Sequence, residues 1–144
     1  MKKQPDIKTK DQSWFYSKKV KDHFFSPKKF LKDGEKFKAD GVGTVGSPAC
    51  GDMMKFWIKI DKKENKIKDC RWRTFGCASA IASTSALAEM ITEDGGMKIE
   101  KALKIKPQDI INRLNGLPAI KVHCSILGDQ ALRAAIEDYN SHKR

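Results

Sequence analysis

Two adjacent segments in the middle of the chain alternate apolar and polar residues with a period of two. They are MMKFWIKID, residues 53–61, and KIKDCRWRTF, residues 66–75, and the polar stretch KKENK, which shares Lys66 with the second segment, forms the turn between them. This period is typical of half-buried strands, and in the second segment it places Cys70 and Trp72 on one face. The pattern therefore predicts a β-hairpin.

Helical patterns lie on both sides of this hairpin, and one more strand is predicted around Val42–Val45. The predicted helices are Ser13 to Phe25, ended by Pro27; residues 77–91, rich in small side chains and ended by Gly95-Gly96; a short amphipathic stretch, 97–104; residues 107–114, opened by Pro107; and a last helix from about Cys124 with the apolar stripe Leu132, Ala135, Ile136 and Tyr139. Residues 115–124 between the last two helices read as extended, because Pro118 disfavours helix before it.

The elements together predict a single α+β domain over residues 1–144. We expect a small antiparallel sheet of about three strands packed against helices, with a long C-terminal helix, and a flexible basic arm over residues 1–12. With 40% hydrophobic and 33% charged residues, the composition is that of a soluble globular protein. No apolar run approaches the roughly 20 residues of a membrane helix, and the N-terminus resembles no secretory signal. The sequence therefore predicts a cytoplasmic protein without a membrane partner.

The net charge of +11 is concentrated near the N-terminus. Residues 1–38 hold 12 lysines against 5 acidic residues. Such a segment can contact nucleic acid or an acidic protein, or it can simply be a solvated lysine-rich surface. No nucleic-acid-binding motif accompanies the charge, so we expect no nucleic-acid partner.

Three of the four cysteines lie at predicted element boundaries. Cys50 follows a Pro-Ala turn and precedes a glycine, Cys77 follows a glycine at a strand-to-helix junction, and Cys124 opens the last helix. A thiol at a helix N-terminus is favoured as thiolate, the form that binds metal or attacks an electrophile. These three thiols could converge on one end of the sheet. Cys70, in register with Trp72 on a strand, reads as a core residue.

Two further donors lie beside these cysteines, Asp52 and His123. The cysteine spacing matches no zinc-finger pattern and contains no CxxC, so a metal site would have to be assembled from distant loops. Thiolates with an imidazole or a carboxylate suit zinc or an iron–sulfur cluster. The competing chemistry is a nucleophilic cysteine paired with His123, which leaves two cysteines unused.

Several stretches closely resemble the IscU/NifU-type iron–sulfur cluster assembly scaffolds. They are GTVGSPACGDMMKFWIKID, TFGCASAIASTSALAEM and LPAIKVHCSILGDQALRAAIEDY, while WFYSKKVKDHFFSPKKF resembles the family's N-terminal helix. The likeness runs from about Ser13 to Tyr139 and is closest to the NifU N-terminal domain. Because the chain stops at Arg144, it resembles a stand-alone scaffold module.

The resemblance implies that Cys50, Cys77 and Cys124 are ligand thiolates. It implies that Asp52 keeps a bound cluster labile and that His123 is an alternative ligand. Such a protein is a carrier and not an enzyme: it builds a 2Fe–2S cluster from iron and from sulfur delivered by a cysteine desulfurase, accepts electrons from a ferredoxin, and hands the cluster to apo iron–sulfur proteins. Zinc is the alternative occupant. We further hypothesise that Cys124 accepts the sulfur.

Two points of the resemblance leave alternatives open. The SufU branch is a zinc-bound sulfur-relay activator of a desulfurase, and its members carry an insertion before the third cysteine for which the gap of 47 residues here leaves little room. The family's chaperone-docking motif, usually Leu-Pro-Pro-Val-Lys, is altered. The loss of one proline makes the segment less pre-organised for a DnaK-type chaperone. Here the motif reads Leu117, Pro118, Ala119, Ile120 and Lys121.

Overall fold

The computed structural model of the chain describes residues 17–47, 52–74, 78–115 and 124–142. Within these ranges the chain forms five α-helices and four β-strands. In chain order they are α1 (Lys18–Phe25), β1 (Gly41–Ser47), β2 (Asp52–Asp61), β3 (Lys66–Thr74), α2 (Ala78–Thr92), β4 (Met97–Lys98), α3 (Ile99–Ala102), α4 (Pro107–Arg113) and α5 (Cys124–His142). A turn of 3-10 helix, Glu93–Gly95, follows α2.

The four strands form one antiparallel sheet in the order β1-β2-β3-β4. The predicted hairpin is β2 and β3, in which Phe56 lies opposite Trp72 and Ile58 lies opposite Cys70. All four of these side chains are fully buried. The residues that alternate with them point to the other side, and Trp57 among them is partly exposed. The period-two prediction is therefore confirmed, and the sheet has an inner face toward the helices and an outer face.

Strand β3 departs from strict alternation near its beginning. Lys59 pairs with Asp69, but the next pair along is Ile60 with Ile67, so that Lys68 is an extra residue in β3. Such an extra residue forms a β-bulge. The bulge turns the side chain of Ile67 into the core, where it is fully buried.

The helices cover the inner face of the sheet. Helix α5 packs on β1 and β2, α2 packs on β3, and α1 packs on α2. Buried apolar side chains from these helices and from the inner face form one core. The apolar stripe predicted for the last helix is buried as expected, with Leu132 and Ala135 fully inaccessible. None of the helices in the described part of the chain has the length and apolar content that a membrane crossing requires.

A short segment after α1 pairs with β3, which the sequence did not indicate. The N–H of Leu31 donates to the carbonyl of Trp72 (2.9 Å), and the N–H of Trp72 donates to the carbonyl of Lys29 (3.2 Å). Phe30 thereby forms a parallel bridge with Trp72. The Trp72 indole N–H also donates to the Lys28 carbonyl at 2.7 Å. These bonds fix the start of the segment 32–40, which crosses the outer face.

The remaining differences concern element boundaries. The stretch 97–104, predicted as helical, divides into β4 and α3 because Gly96, with φ +105°, brings the chain against β3, and a Cβ there would lie 2.3 Å from the Ile67 carbonyl oxygen. The first predicted helix is confirmed from Lys18 to Phe25. Residues 13–16 and 116–123, the latter forming most of the predicted extended segment, lie outside the described residues.

Candidate functional site

The residues that flank Cys50 and Cys77 lie at the same end of the sheet. Cys50 belongs to the connection between β1 and β2, and the last strand pair before that connection is Ser47 with Asp52. Cys77 belongs to the connection between Thr74, the last residue of β3, and α2. Because β3 is antiparallel to β2, the last residues of β3 lie beside the first residues of β2. Both connections therefore begin from one end of the sheet.

Glycines on β1 allow helix α5 to lie directly on this strand. A Cβ on Gly43 would lie 2.4 Å from both the Ala131 carbonyl oxygen and the Ala135 nitrogen, and one on Gly41 would lie 2.3 Å from the Ala135 carbonyl oxygen. From Gly41 to Gly43 the contact moves toward the N-terminus of α5. The helix and the strand therefore run in opposite directions.

The same contacts locate the first turn of α5. From Gly43 to Ser47 a strand advances about 13 Å, which a helix covers with about nine residues. Counted back from the contact between Ala131 and Ala135, nine residues reach the beginning of α5, whose first residue is Cys124. The beginning of α5 therefore lies at the end of the sheet that carries the flanks of the other two cysteines.

Helices α2 and α5 cross near their N-termini. A Cβ on Gly128 would lie 2.8 Å from Thr84 Oγ1 and 3.5 Å from Leu87 Cδ2. Both contact points lie within about two turns of their helix starts, Ala78 and Cys124. The positive ends of two helix dipoles are thus directed to this end of the sheet. We call it the cysteine end, bounded by Ser47, Asp52, Thr74, Ala78 and Cys124.

The structure describes the backbone of two predicted site residues. Asp52 is the first residue of β2 and Cys124 is the first residue of α5. Outside the described residues lie Cys50, Cys77, His123 and the predicted chaperone-docking segment 117–121. Among the side chains that are described, no group of three or more His, Cys, Asp or Glu residues could hold a metal ion. The described region thus contains no competing metal centre.

Cys70 is separate from the cysteine end. Its side chain is fully buried in the core, opposite Ile58 on β2. Burial, followed by the nearby Asp69 carboxylate, raises the pKa of the Cys70 thiol far above its ordinary value. The residue therefore remains a neutral thiol and does not act as a thiolate ligand. Its prediction as a core residue is confirmed.

A buried histidine that the sequence analysis did not single out joins α1 to α2. His23 is 9% exposed, and its Nδ1 lies 2.7 Å from the hydroxyl oxygen of Ser85, which also accepts the N–H of Lys28 at 2.7 Å. Its Nε2 lies 3.6 Å from a carboxylate oxygen of Glu89. Burial lowers the pKa of His23, although the Glu89 carboxylate opposes this. The sequence contains one signal for this buried position. His23 follows Val20 by three residues, and this spacing places the two residues on one face of the helix.

Because the pKa of His23 is lower in the folded chain than its usual value of 6.5, we expect stability to decrease as the pH falls below that value. The unfolded chain takes up the proton first, so protonation favours unfolding, by at most about 1.4 kcal/mol per pH unit. Urea unfolding at about pH 7.5 and about pH 5.5 measures the loss. In His23→Gln the difference in unfolding free energy between the two pH values should be smaller by on the order of 1 kcal/mol. The exposed His142→Gln is the control, and an unchanged loss in His23→Gln would contradict the assignment.

The chain is similar to a known protein family and to curated relatives. The family model of the NifU-like N terminal domain matches residues 15–144. The nitrogen fixation protein NifU of Nostoc sp. is 46% identical over 129 residues, which cover 88% of this chain and 42% of that protein. The iron-sulfur cluster assembly scaffold protein IscU 1 of Archaeoglobus fulgidus is 50% identical over 124 residues, which cover 86% of this chain and 76% of that protein. The chain thus spans less than half the length of the NifU relative.

Solved structures share the fold at lower identity. The N-terminal NifU-like protein from Brucella abortus aligns with a TM-score of 0.64 at 18% identity and covers 90% of this chain and 96% of its own. A putative iron-sulfur cluster assembly scaffold protein for the SUF system from Fervidobacterium islandicum aligns with a TM-score of 0.60 at 23% identity. The alignment covers 88% of this chain and 99% of that protein. Both confirm the α+β architecture. Since the family model matches residues 15–144, this chain belongs to the NifU-like N-terminal domain family.

Proposed function

We propose that this chain is a scaffold on which a labile 2Fe–2S cluster is assembled and from which the cluster passes to apo iron–sulfur proteins. The observation that carries the proposal is the convergence, at the cysteine end, of the strand and helix ends that flank Cys50, Cys77 and Cys124. The relative named as an iron-sulfur cluster assembly scaffold protein, at 50% identity, supports it. In this role the protein is a carrier and not an enzyme, since the cluster is its cargo.

The donor set suits iron and sulfide. Thiolates of Cys50, Cys77 and Cys124 are soft ligands of the kind that hold iron–sulfur clusters. The dipoles of α2 and α5 favour negative charge at the cysteine end. A carboxylate from Asp52 or an imidazole from His123 is an exchangeable fourth donor, so the cluster is bound with one weaker ligand and can leave. Zinc fits the same donors.

We further propose that Cys124 accepts sulfur from a cysteine desulfurase. Its thiolate would attack the terminal sulfur of the desulfurase persulfide, the desulfurase thiolate would leave, and Cys124 would carry the new persulfide. Conversion of that sulfur to sulfide takes two electrons, which a ferredoxin would supply. The position of Cys124 at the start of a helix of 19 residues supports this role, because the dipole favours the thiolate.

The chaperone prediction rests on the sequence. Docking of a DnaK-type chaperone on segment 117–121 stays a prediction, because this segment lies outside the described residues.

The basic residues nearer the N-terminus could bind a desulfurase that carries an acidic patch.

Anaerobic reconstitution tests the proposed function. The chain is incubated with ferrous iron, cysteine and a cysteine desulfurase, and iron and acid-labile sulfide are then measured. We expect near-equal iron and sulfide bound to the protein, and transfer of the cluster to an apo-ferredoxin. Tightly bound zinc without sulfide uptake would overturn the scaffold role and favour a sulfur-relay activator.

Replacing Asp52 with alanine should slow the transfer of the cluster. Without its carboxylate the cluster loses a hard, weakly bound donor and keeps the thiolates, so we expect transfer to an apo-ferredoxin to slow on the order of tenfold, equivalent to about 1.4 kcal/mol in the barrier. Stopped-flow absorbance measures the rate. Glu64→Ala, an exposed acid at the opposite end of the hairpin, is the matched control. Equal rates for the wild type and Asp52→Ala would exclude the carboxylate from this role.

A further inference from the structure

Among the residues that the structure describes, those that cover the outer face of the sheet do so over only part of its area. The segment 32–40 crosses the half that lies away from the cysteine end. There the Phe37 ring lies 5.0 Å from both the Lys59 ammonium and the Arg71 guanidinium, and Glu35 accepts from Arg71 Nε at 2.7 Å. In the half nearer the cysteine end, this segment contributes the Asp33 carboxylate, which lies 2.9 Å from Arg73 and is 94% exposed.

The open half forms a cavity of about 300 Å³, near the lower limit of small-ligand pockets. We call it the Trp57 surface, and its residues are Leu31, Met53, Lys55, Trp57, Arg73 and Thr74. The neighbouring strand β1 leaves the cavity open. Its residues opposite Trp57 and Lys55 are Val42 and Thr44, which carry short side chains. The cavity is wide enough for one bulky side chain of a partner.

The chemistry of the Trp57 surface combines an apolar floor with two cations. The ammonium of Lys55 lies 5.3 Å from the centre of a Trp57 ring, a cation–π contact that holds it over the cavity. Within the described part of the chain, no ion pair occupies Lys55. Arg73 pairs with Asp33 at 2.9 Å, but that carboxylate is 94% exposed and can be exchanged for another. Both cations are therefore available to an incoming carboxylate.

The Trp57 surface lies beside the cysteine end. Met53 is the second residue of β2, opposite Gly46 on β1, and Thr74 is the last residue of β3. The Thr74 hydroxyl donates to the Met53 carbonyl at 2.7 Å, which joins the two strands at this point. A partner bound here would contact the scaffold next to the residues that flank Cys50 and Cys77.

We propose that the Trp57 surface binds an acidic segment of a partner protein, with one apolar side chain in the cavity and flanking carboxylates on Lys55 and Arg73. The charge of +11 favours an acidic partner over a neutral or basic one. Single-stranded nucleic acid is less well matched, since it stacks on successive rings along a groove, and Trp57 is the ring that lines this cavity. The proposal concerns partner binding and does not depend on the chemistry of the cysteines.

A labelled peptide tests the proposal with the full, metal-free chain. The probe is a nine-residue peptide of glutamates with a central phenylalanine, and binding is followed by fluorescence anisotropy. We expect saturable binding that weakens about fivefold in Lys55→Glu, in line with the loss and reversal of one charge contact. Lys63→Glu carries the same charge change on an exposed residue of the β2–β3 turn and should alter the affinity less than about twofold.

Two further measurements separate the cavity from general charge attraction. A peptide with alanine in the central position should bind about fivefold more weakly, and the backbone amide resonances that shift on binding should be those of residues 53–57 and 73–74. Equal affinity for the two peptides, or equal weakening by Lys55→Glu and Lys63→Glu, would overturn the proposal. A third outcome is that the peptide does not bind, whereas oligo-dT binds and Lys55→Glu abolishes that binding. This outcome would assign the surface to nucleic acid. None of these outcomes bears on the proposed scaffold role, which the cluster reconstitution tests separately.

Discussion

Alanine at position 50, 77 or 124 is expected to abolish retention of the cluster, whereas alanine at position 70 is expected to preserve it. In the proposed scaffold, replacing Cys50, Cys77 or Cys124 removes one thiolate ligand. Changes even to outer-shell partners of metal ligands typically cost about 10- to 100-fold. We therefore expect iron and acid-labile sulfide after reconstitution to fall at least about tenfold. The measurement is metal and sulfide analysis after removal of free iron.

Cys70→Ala is the matched control because it is the same substitution at a cysteine buried in the core. It removes one buried sulfur and should lower the free energy of unfolding by about 1 kcal/mol without changing the iron and sulfide content. In the same series, mass spectrometry after incubation with a desulfurase should find the persulfide on Cys124. Loss of cluster in Cys70→Ala alone, or a persulfide confined to Cys70, would refute the assignment.

The central hairpin could be predicted from the sequence because its information is local. An alternation of apolar and polar residues determines which face of a strand is buried, and the pairing of Phe56 with Trp72 follows from two such strands joined by a polar turn. Likewise, the small residues of α2 indicated close packing, and a Cβ on Gly128 of α5 would lie 2.8 Å from Thr84 Oγ1. The prediction of element boundaries also located Cys124 at the start of a helix.

The parts that sequence analysis missed depend on contacts between distant residues. The bond from the Trp72 indole to the Lys28 carbonyl joins residues 44 positions apart, and no periodicity marks either of them as a partner. His23 and Ser85 are 62 positions apart. The charge of the outer face was visible, but its division into a covered and an open half depends on the path of the segment 32–40. The convergence of the cysteine flanks depends on how α5 lies along β1.

That placement of α5 leads to the second strong effect, since Gly43→Ala is expected to destabilise the protein and to impair cluster retention. Alanine in place of glycine usually stabilises a strand by about 0.4–1 kcal/mol through the unfolded chain. Here the new methyl group would lie 2.4 Å from backbone atoms of Ala131 and Ala135, so the whole helix must move away from the sheet. We expect the free energy of unfolding to fall by about 3 kcal/mol, because a rigid backbone cannot relax as a flexible side chain would. Urea unfolding measures it.

The displacement should affect function because α5 begins at Cys124, about nine residues from the contact with Gly43. A shift of the helix away from β1 moves Cys124 relative to the strand ends that flank Cys50, so reconstituted iron and sulfide should fall even at temperatures where Gly43→Ala is folded. Thr44→Ala, on the exposed side of the same strand, should change stability by less than about 0.5 kcal/mol and leave cluster content unchanged. If Gly43→Ala is destabilised but retains its full cluster content while folded, the position of α5 does not control the site. If it is as stable as the wild type, the close contact between α5 and β1 is itself wrong.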